Sequence, residues 1–328
     1  MKTPLSPHES LSEHLTQKAK SYQSRSQFNF YNMKYPTILL GIALCTLANV
    51  SCTAANRDTS TTESSTHARF VPERADDFAW ENDLIAFRAY GPALQAKGED
   101  SGFDCWLKRV PYPIVEKWYA ENAAGKSYHT DHGEGYDPYK VGSSRGCGGL
   151  ALWIDGKMVS SNVFTKWEIL KSEREETVFV LSYEWKHGGD TYTEAKQISV
   201  KLGERMFKST STFKKNGQLA ANLPIAIGLV RHHTTDAVEK DLTQGWVATW
   251  ETIDGSDLGT GVVIDPKRID SLHVEESGKK LSDHVVLLTE TDAKGELEYY
   301  AGYGWARAKE ITTLEQWTRY LTQFSKSH

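Results

Sequence analysis

The clearest indication of the fold is the alternating stretch Thr177-Val178-Phe179-Val180-Leu181-Ser182-Tyr183-Glu184-Trp185. Apolar and polar residues take turns along it, which is the period of a β-strand with one face in a protein core. The same alternation recurs on both sides of this stretch, and an apolar run typical of a buried strand covers 223–230. Further strands are predicted at 84–90, 192–202, 205–213, 246–252, 261–264, 284–289 and 297–303.

Turn signals and aromatic content complete the fold prediction. Helical spacing is limited to two segments, 115–122 and 314–324. The chain holds 10 Trp and 15 Tyr, and rings beyond those that fill a core often line sugar-binding clefts. Many strands with tight turns predict an all-β fold, a large antiparallel β-sandwich. The predicted turns lie at Asp155-Gly156, Asn216-Gly217, Asp254-Gly255 and Lys294-Gly295.

The N-terminal region has the layout of a secretory signal. A start at Met33 is followed by the apolar run 38–50, which is too short to span a bilayer as a helix. Cys52, which closes this run, resembles the lipidated cysteine of bacterial lipoproteins and predicts a lipid anchor. The expected location is the periplasm or the outer membrane. The predicted divisions are an upstream mis-start (1–32), a signal peptide (33–52), a flexible tether (53–69) and a single catalytic β-sandwich domain (70–328).

Charge and cysteine content narrow the class of protein further. The net charge of -5 and the lack of a basic stripe argue against a nucleic-acid partner. Of the 4 Cys, Cys105 and Cys147 remain in the predicted domain. In an oxidising compartment they form either a disulfide or two buried thiols, and spacing alone does not decide between these.

The densest group of chemically active side chains lies between Tyr128 and Lys140. This glycine-punctuated run holds two imidazoles, three carboxylates, three phenols and an ammonium group. Groups that titrate near neutrality, beside proton donors and acceptors, suit proton-transfer chemistry. The run is therefore predicted to line a polar cleft, with a solvated loop as the alternative.

A family resemblance is carried by five segments, namely 73–83, 88–94, 129–142, 145–149 and 299–305. Together they resemble a bacterial family described as a domain of unknown function. That family occurs in gene clusters that break down uronic-acid polysaccharides, and it includes an oligosaccharide dehydratase of ulvan degradation. The resemblance implies a galactose-mutarotase-like supersandwich. It also implies an enzyme that removes water from a non-reducing-end glucuronic or iduronic acid, leaving a 4,5-unsaturated uronic acid.

Such an elimination needs a base for the C5 proton, an acid for the departing hydroxyl and a cation for the carboxylate. His132 is the favoured base, with His129 as its alternative. Tyr139 is favoured over Tyr136 as the acid. Alternatively, these histidines have a structural role or are solvated.

The carboxylate clamp has three arginine candidates. Arg88 lies in an apolar strand, where an inward guanidinium requires an acidic partner or substrate. Arg145 precedes a glycine turn, and Arg231 ends a buried strand. Arg231 is followed by His232, predicted as a further catalytic residue, and by His233.

The remaining predicted substrate-binding residues are Trp80, Asn82, Glu134 and Tyr136, with Asn82 orienting sugar hydroxyls. No cofactor is predicted, although the oxygen ligands Asp131, Glu134 and Asp137 leave a calcium ion open. The histidines lack the helical spacing of a zinc protease site.

The predicted function is that of a carbon–oxygen lyase that dehydrates an acidic oligosaccharide. A polysaccharide lyase on a related glycuronan and a non-catalytic glycan-binding lipoprotein are the alternatives, and a mutarotase or epimerase would share the fold. Nucleophile-elbow, phosphate-loop and dinucleotide-binding motifs are absent from the sequence, which argues against ester hydrolysis of that type, phosphoryl transfer and hydride transfer.

Overall fold

The computed structural model describes residues 63–98 and 100–328, without the side chain of Ala96. The predictions for 1–32 and 33–52, including lipidation at Cys52, lie outside the described residues. Most of the predicted tether does so as well. Within the described part, no helix is long and apolar enough to cross a membrane.

The described chain consists mainly of β-strands. Its strands are β1 (His67–Val71), β2 (Asp77–Glu81), β3 (Ala86–Ala89), β4 (Phe103–Lys108), β5 (Gly135–Tyr136), β6 (Cys147–Ile154), β7 (Lys157–Ser160), β8 (Lys166–Ser172), β9 (Glu176–His187), β10 (Asp190–Lys201), β11 (Met206–Lys215), β12 (Gln218–Leu219), β13 (Pro224–Arg231), β14 (Ala237–Asp241), β15 (Trp246–Ile253), β16 (Ser256–Val263), β17 (Ser271–Glu275), β18 (Asp283–Glu290) and β19 (Glu296–Trp305). Its α-helices are α1 (Val115–Ala123) and α2 (Leu314–Ser327), and its 3₁₀ turns are Pro92–Lys97, Pro266–Arg268 and Ala306–Ala308.

The described strands pair into three antiparallel sheets. The first has the order β1-β2-β3-β4-β5. The second and largest runs β14-β15-β16-β19-β11-β10-β9-β8, with β12 beside β11. The third runs β17-β18-β13-β6-β7. One hydrophobic core is shared by residues of all three sheets, so the prediction of a large antiparallel β-sandwich is confirmed.

The alternating stretch 177–185 forms part of β9, as its pattern predicts. Along β9, buried and half-buried positions alternate, and Phe179, Leu181 and Tyr183 face the core. It pairs with β10 along its whole length through the Gly188-Gly189 turn, where both glycines have positive φ. Burial of alternate side chains therefore fixes the register of this hairpin.

All the strands predicted from alternation are present, and so are both helices. The strands β2 and β4 were missed because they are buried along both faces and show no alternation. The folded region also begins earlier than residue 70, since β1 starts at His67 and Thr66 is buried.

The two helices cover outer faces of the sheets. Trp118 of α1 stacks on Trp106 of β4, with ring centroids 5.5 Å apart. Trp317 and Leu321 of α2 pack over β16 at Gly259 and Gly261, where a Cβ atom would collide with the helix side chains. Neither helix contributes to the cleft that is lined by the loops after β13 and β15 and the segment before β18.

Candidate functional site

A cleft of about 820 Å³ opens between the loops that follow β13 and β15, the loop before β18 and the segment around residue 140. Groups that can carry positive charge dominate its wall, namely Lys140, Lys279, Lys280, His232 and His233. The three lysines form no ion pair with another described residue. Their ammonium groups are therefore available to an anionic ligand.

The two carboxylates in the cleft wall already have partners. Asp283 accepts hydrogen bonds from the backbone N–H of Ser277 and Gly278, at 2.6 and 2.9 Å, and so holds the lysine-bearing loop. Asp254 Oδ2 accepts from the hydroxyl of Tyr136 at 3.3 Å. Three lysines against these two carboxylates give the cleft wall a surplus of positive charge.

His232 is held at both of its ring nitrogens. Nε2 donates to the Lys140 carbonyl at 2.8 Å, and Nδ1 lies 2.6 Å from Oε2 of Glu251. Burial alone would lower the pKa of the imidazole, but the bond to Glu251, its charge and the bond to Lys140 outweigh burial and raise the pKa. Burial raises the pKa of Glu251, and the His232 cation limits that rise. The arrangement favours an imidazolium ion in the cleft wall.

Tyr139 lies beneath this imidazole. Its ring meets His232 edge to face, with centroids 4.9 Å apart, and its buried hydroxyl has no hydrogen-bond partner among the described residues. Burial and the nearby thiols of Cys105 and Cys147 raise the pKa of Tyr139, so the phenol stays protonated. Both cysteines are free and buried, which matches the second of the two cysteine alternatives.

His129 belongs to a different cluster, at the edge of a buried group of carboxylates. Its Nδ1 donates to the Asp137 carbonyl at 3.0 Å, and its side chain is half-exposed. Burial lowers the pKa of His129, and the charges of Lys140 and Arg88 lower it further. A neutral imidazole is the form that a base requires, but His129 is not part of the cleft wall.

Arg88 is the buried centre of that cluster. It bonds Asp104 through two nitrogens and lies 3.2 Å from Asp137 and 3.6 Å from Asp77. Burial raises the pKa of Asp77 to about 7, and burial together with the charge of Asp104 raises that of Asp137. Three carboxylates around one buried guanidinium satisfy the acidic-partner requirement internally, so the structure does not present Arg88 to a ligand.

His132 lies outside the cleft wall. Its Nε2 donates to the Ser127 carbonyl at 3.0 Å, and the residue is exposed. Glu134 is engaged by Lys117, Tyr112 and the indole of Trp118. Glycine is required at position 135, because its φ of 122° is unfavourable for other residues and a Cβ atom there would collide with the Leu107 carbonyl. The functional groups of 128–140 thus lie in three separate places: the cleft wall, the cluster around Arg88 and the surface beside Lys117.

The remaining predicted ligand-binding residues have internal partners. Arg145 bonds Ser101 and the Leu150 carbonyl, and Arg231 bonds Glu276. Trp80 is fully buried in the aromatic core. The side-chain amide of Asn82 donates to the carbonyls of Lys201 and Glu204 and accepts a hydrogen bond from the Leu84 N–H.

The candidate calcium ligands do not share one pocket. Asp131 forms a two-armed ion pair with Arg109, whereas Glu134 and Asp137 contact Lys117 and Arg88. In the described part of the chain, no group of three or more His, Cys, Asp or Glu side chains is arranged to hold a metal ion.

Sequence reasoning missed Glu251 and the lysine pair. Glu251 lies in β15 with the inward parity of Val247, and an acid at an apolar position was a usable signal. Lys279 and Lys280 follow Gly278 in a loop, and basic residues in a loop give no sign of the surface that they will face.

The amino-acid sequence matches a known protein family and a curated relative. The sequence model of the family described as "Domain of unknown function (DUF4861)" matches residues 9–328. An uncharacterized protein of Formosa agariphila is 36% identical over 273 residues, which is 79% of this chain and 67% of that protein.

Solved structures give weaker matches. A heparan sulfate lyase HepC mutant from Pedobacter heparinus aligns with a TM-score of 0.39 and 13% identity, over 73% of this chain and 36% of that one. The galactosidase domain of an alpha-galactosidase-sucrose kinase, AgaSK, gives 0.32 and 10%, over 73% and 42%. The GH36 alpha-galactosidase AgaB from Geobacillus stearothermophilus gives 0.33 and 8%, over 73% and 41%. This chain therefore spans less than half of each of these proteins.

Proposed function

The chain belongs to the DUF4861 family, and on that premise we propose that it is a carbon–oxygen lyase that acts on an acidic oligosaccharide. The proposed reaction removes water across C4 and C5 of a non-reducing-end uronic acid and leaves a 4,5-unsaturated uronic acid. Ulvan-type oligosaccharides are the proposed substrate class. The proposed setting is the periplasm or the outer membrane, with a lipid anchor at Cys52.

The observation that carries this proposal is the cationic cleft. Three lysines without ion-pair partners among the described residues share this cleft with an imidazole whose pKa is raised by its bond to Glu251. Elimination from a uronate places negative charge on the carboxylate as the C5 proton leaves. Fixed positive groups at that carboxylate stabilise the transition state more than the ground state, which is the condition for catalysis.

The contacts of each cleft residue indicate its role in the proposed reaction. His232 is suited to face the substrate carboxylate as a cation without a direct hydrogen bond, because Glu251 raises its pKa, both of its ring nitrogens already have partners and its side chain lines the cleft. Lys279 and Lys280 are suited to bind acidic groups at the rim, because their loop is held by Asp283. Tyr139 supports the imidazole from below, and its burial is a poor fit to the acid role predicted from the sequence.

The test is the ultraviolet absorbance of the conjugated uronate during incubation with saturated, uronic-acid-capped oligosaccharides. Dehydration predicts a rise in absorbance together with the loss of one water and an unchanged chain length by mass spectrometry. A rise with shortened chains would identify a polysaccharide lyase. Binding without any rise across ulvan, pectin and alginate fragments would identify a glycan-binding protein and refute the elimination.

A paired substitution separates substrate binding from general damage to the fold. The double variant Lys279→Ala/Lys280→Ala should raise KM by about tenfold or more, because two charge-assisted contacts are lost. The matched control is Lys186→Ala, an exposed lysine on β9 away from the cleft. An unchanged KM in the double variant would remove the lysine pair from the binding site.

A further inference from the structure

Building on the elimination proposed above, we propose that His233, oriented by Asp236, is the base that removes the C5 proton. In this assignment the adjacent histidine, His232, acts as a fixed cation and takes no proton from the substrate. Two neighbouring imidazoles in one cleft thus have opposite roles, because their hydrogen-bond partners differ.

His232 lacks a free nitrogen for the base role. A carbonyl oxygen only accepts hydrogen bonds, so the contact with Lys140 requires a hydrogen on Nε2. The contact of Nδ1 with the Glu251 carboxylate is satisfied best by a second hydrogen. An imidazole with hydrogens on both nitrogens can stabilise an anion but has no lone pair to accept a proton.

His233 has the complementary arrangement. Its backbone N–H donates to Asp236 Oδ2 at 2.7 Å, and its Nδ1 lies 3.5 Å from Asp236 Oδ1. The Asp236 side chain is 7% exposed, whereas that of His233 is 65% exposed and lines the cleft. A carboxylate beside Nδ1 favours a hydrogen on that nitrogen, which leaves the lone pair on Nε2. No described residue bonds His233 Nε2.

The proton and electron balance of this step is complete. The C5–H bond breaks as its proton moves to Nε2 of His233, and the electron pair forms the C4–C5 double bond. The C4–O bond breaks, and the departing hydroxyl takes a proton from solvent in the open cleft and leaves as water. His233 then returns its proton to solvent, so the enzyme is unchanged. Asp236 is a positioning residue, since it acts on the substrate only through the imidazole.

The experiment compares the full-length wild type with His233→Ala and His233→Gln on the substrate that the wild type dehydrates. We expect kcat to fall by about a hundredfold or more in both variants, with little change in KM, because general base catalysis contributes on that scale. Added imidazole should restore part of the turnover of His233→Ala, because the side chain removed is exposed. More basic methyl-substituted imidazoles should restore more, which a purely structural histidine would not produce.

Controls keep the outcomes distinct. His187→Ala, at the end of β9, is the matched histidine variant and should match the wild type with and without imidazole. Asp236→Asn should lower kcat more than it raises KM. Dehydration by the wild type together with normal kcat in both His233 variants would overturn the base assignment alone. Reduced kcat without any rescue by imidazole would also overturn it. Absence of dehydration by the wild type would overturn the proposed function and the base assignment together.

Discussion

The cluster around Arg88 predicts how the stability of this protein changes with pH. Asp77 is fully buried, and its Oδ2 has no hydrogen-bond partner in the described residues. The nearest cation lies 3.6 Å away on Arg88, which Asp104 and Asp137 already occupy. Burial therefore raises the pKa of Asp77 to about 7, from its usual 3.8.

The sign and size of the effect follow from that shift. Between pH 4 and pH 7 the folded protein keeps a proton on Asp77 that the unfolded chain has released. The contribution of Asp77 to folding stability therefore falls as pH rises through this window and is lowest above pH 7. At 1.36 kcal/mol per pKa unit, the rise to about 7 corresponds to at most about 4 kcal/mol. Burial raises the pKa of the neighbouring Asp137 as well, and the competition of these two buried carboxyls for one guanidinium reduces this figure.

The perturbation is Asp77→Asn, which imitates the protonated carboxyl and still accepts the hydrogen bond from the Gly91 N–H. The assay is urea unfolding followed by tryptophan fluorescence at pH 4 to 8. Relative to the wild type, the variant should gain up to about 4 kcal/mol in free energy of unfolding across that range. The control is Asp155→Asn, in an exposed turn where φ of 49° suits asparagine. A difference between Asp77→Asn and the wild type that stays within about 1 kcal/mol at every pH would refute the reasoning.

Three further outcomes follow from single contacts. Gly148→Ala should destabilise the fold by about 1 to 3 kcal/mol, because the added Cβ would lie 2.3 Å from the Cβ of Ala301. Adding Ala301→Gly should recover the part of this loss that is due to the collision, and urea unfolding midpoints would measure both effects. Burial lowers the pKa of His284 to about 4, so this imidazole should cost the wild type up to about 3 kcal/mol as pH falls from 6.5 to 4, an effect opposite in sign to that of Asp77; relative to the wild type, the free energy of unfolding of His284→Gln should therefore rise by that amount as pH falls over this range. Glu251→Gln should lower the pKa of His232 in an NMR titration, and an unchanged His232 titration would show that Glu251 does not hold its charge.

Local sequence patterns were sufficient to predict both α-helices and about half of the described strands. Alternation along residues 177–185 corresponds to β9, and the apolar run 223–230 corresponds to β13. Helical spacing gave both α-helices within a few residues of their ends. Such patterns are local, since a strand or helix imposes its period on neighbouring residues whatever lies opposite. Strands buried along both faces, such as β2, carry no period and were therefore missed.

The partners of the charged side chains, in contrast, follow from how the strands are ordered and packed. Arg88 was predicted to need an acidic partner or a substrate, and the sheet order supplied Asp104 from the adjacent strand and Asp137 from 49 residues away. His232 met Glu251 because β13 and β15 belong to sheets that pack face to face. A charged residue in a sequence shows that a partner is required, but which group provides it depends on strand order and packing, which no local pattern encodes.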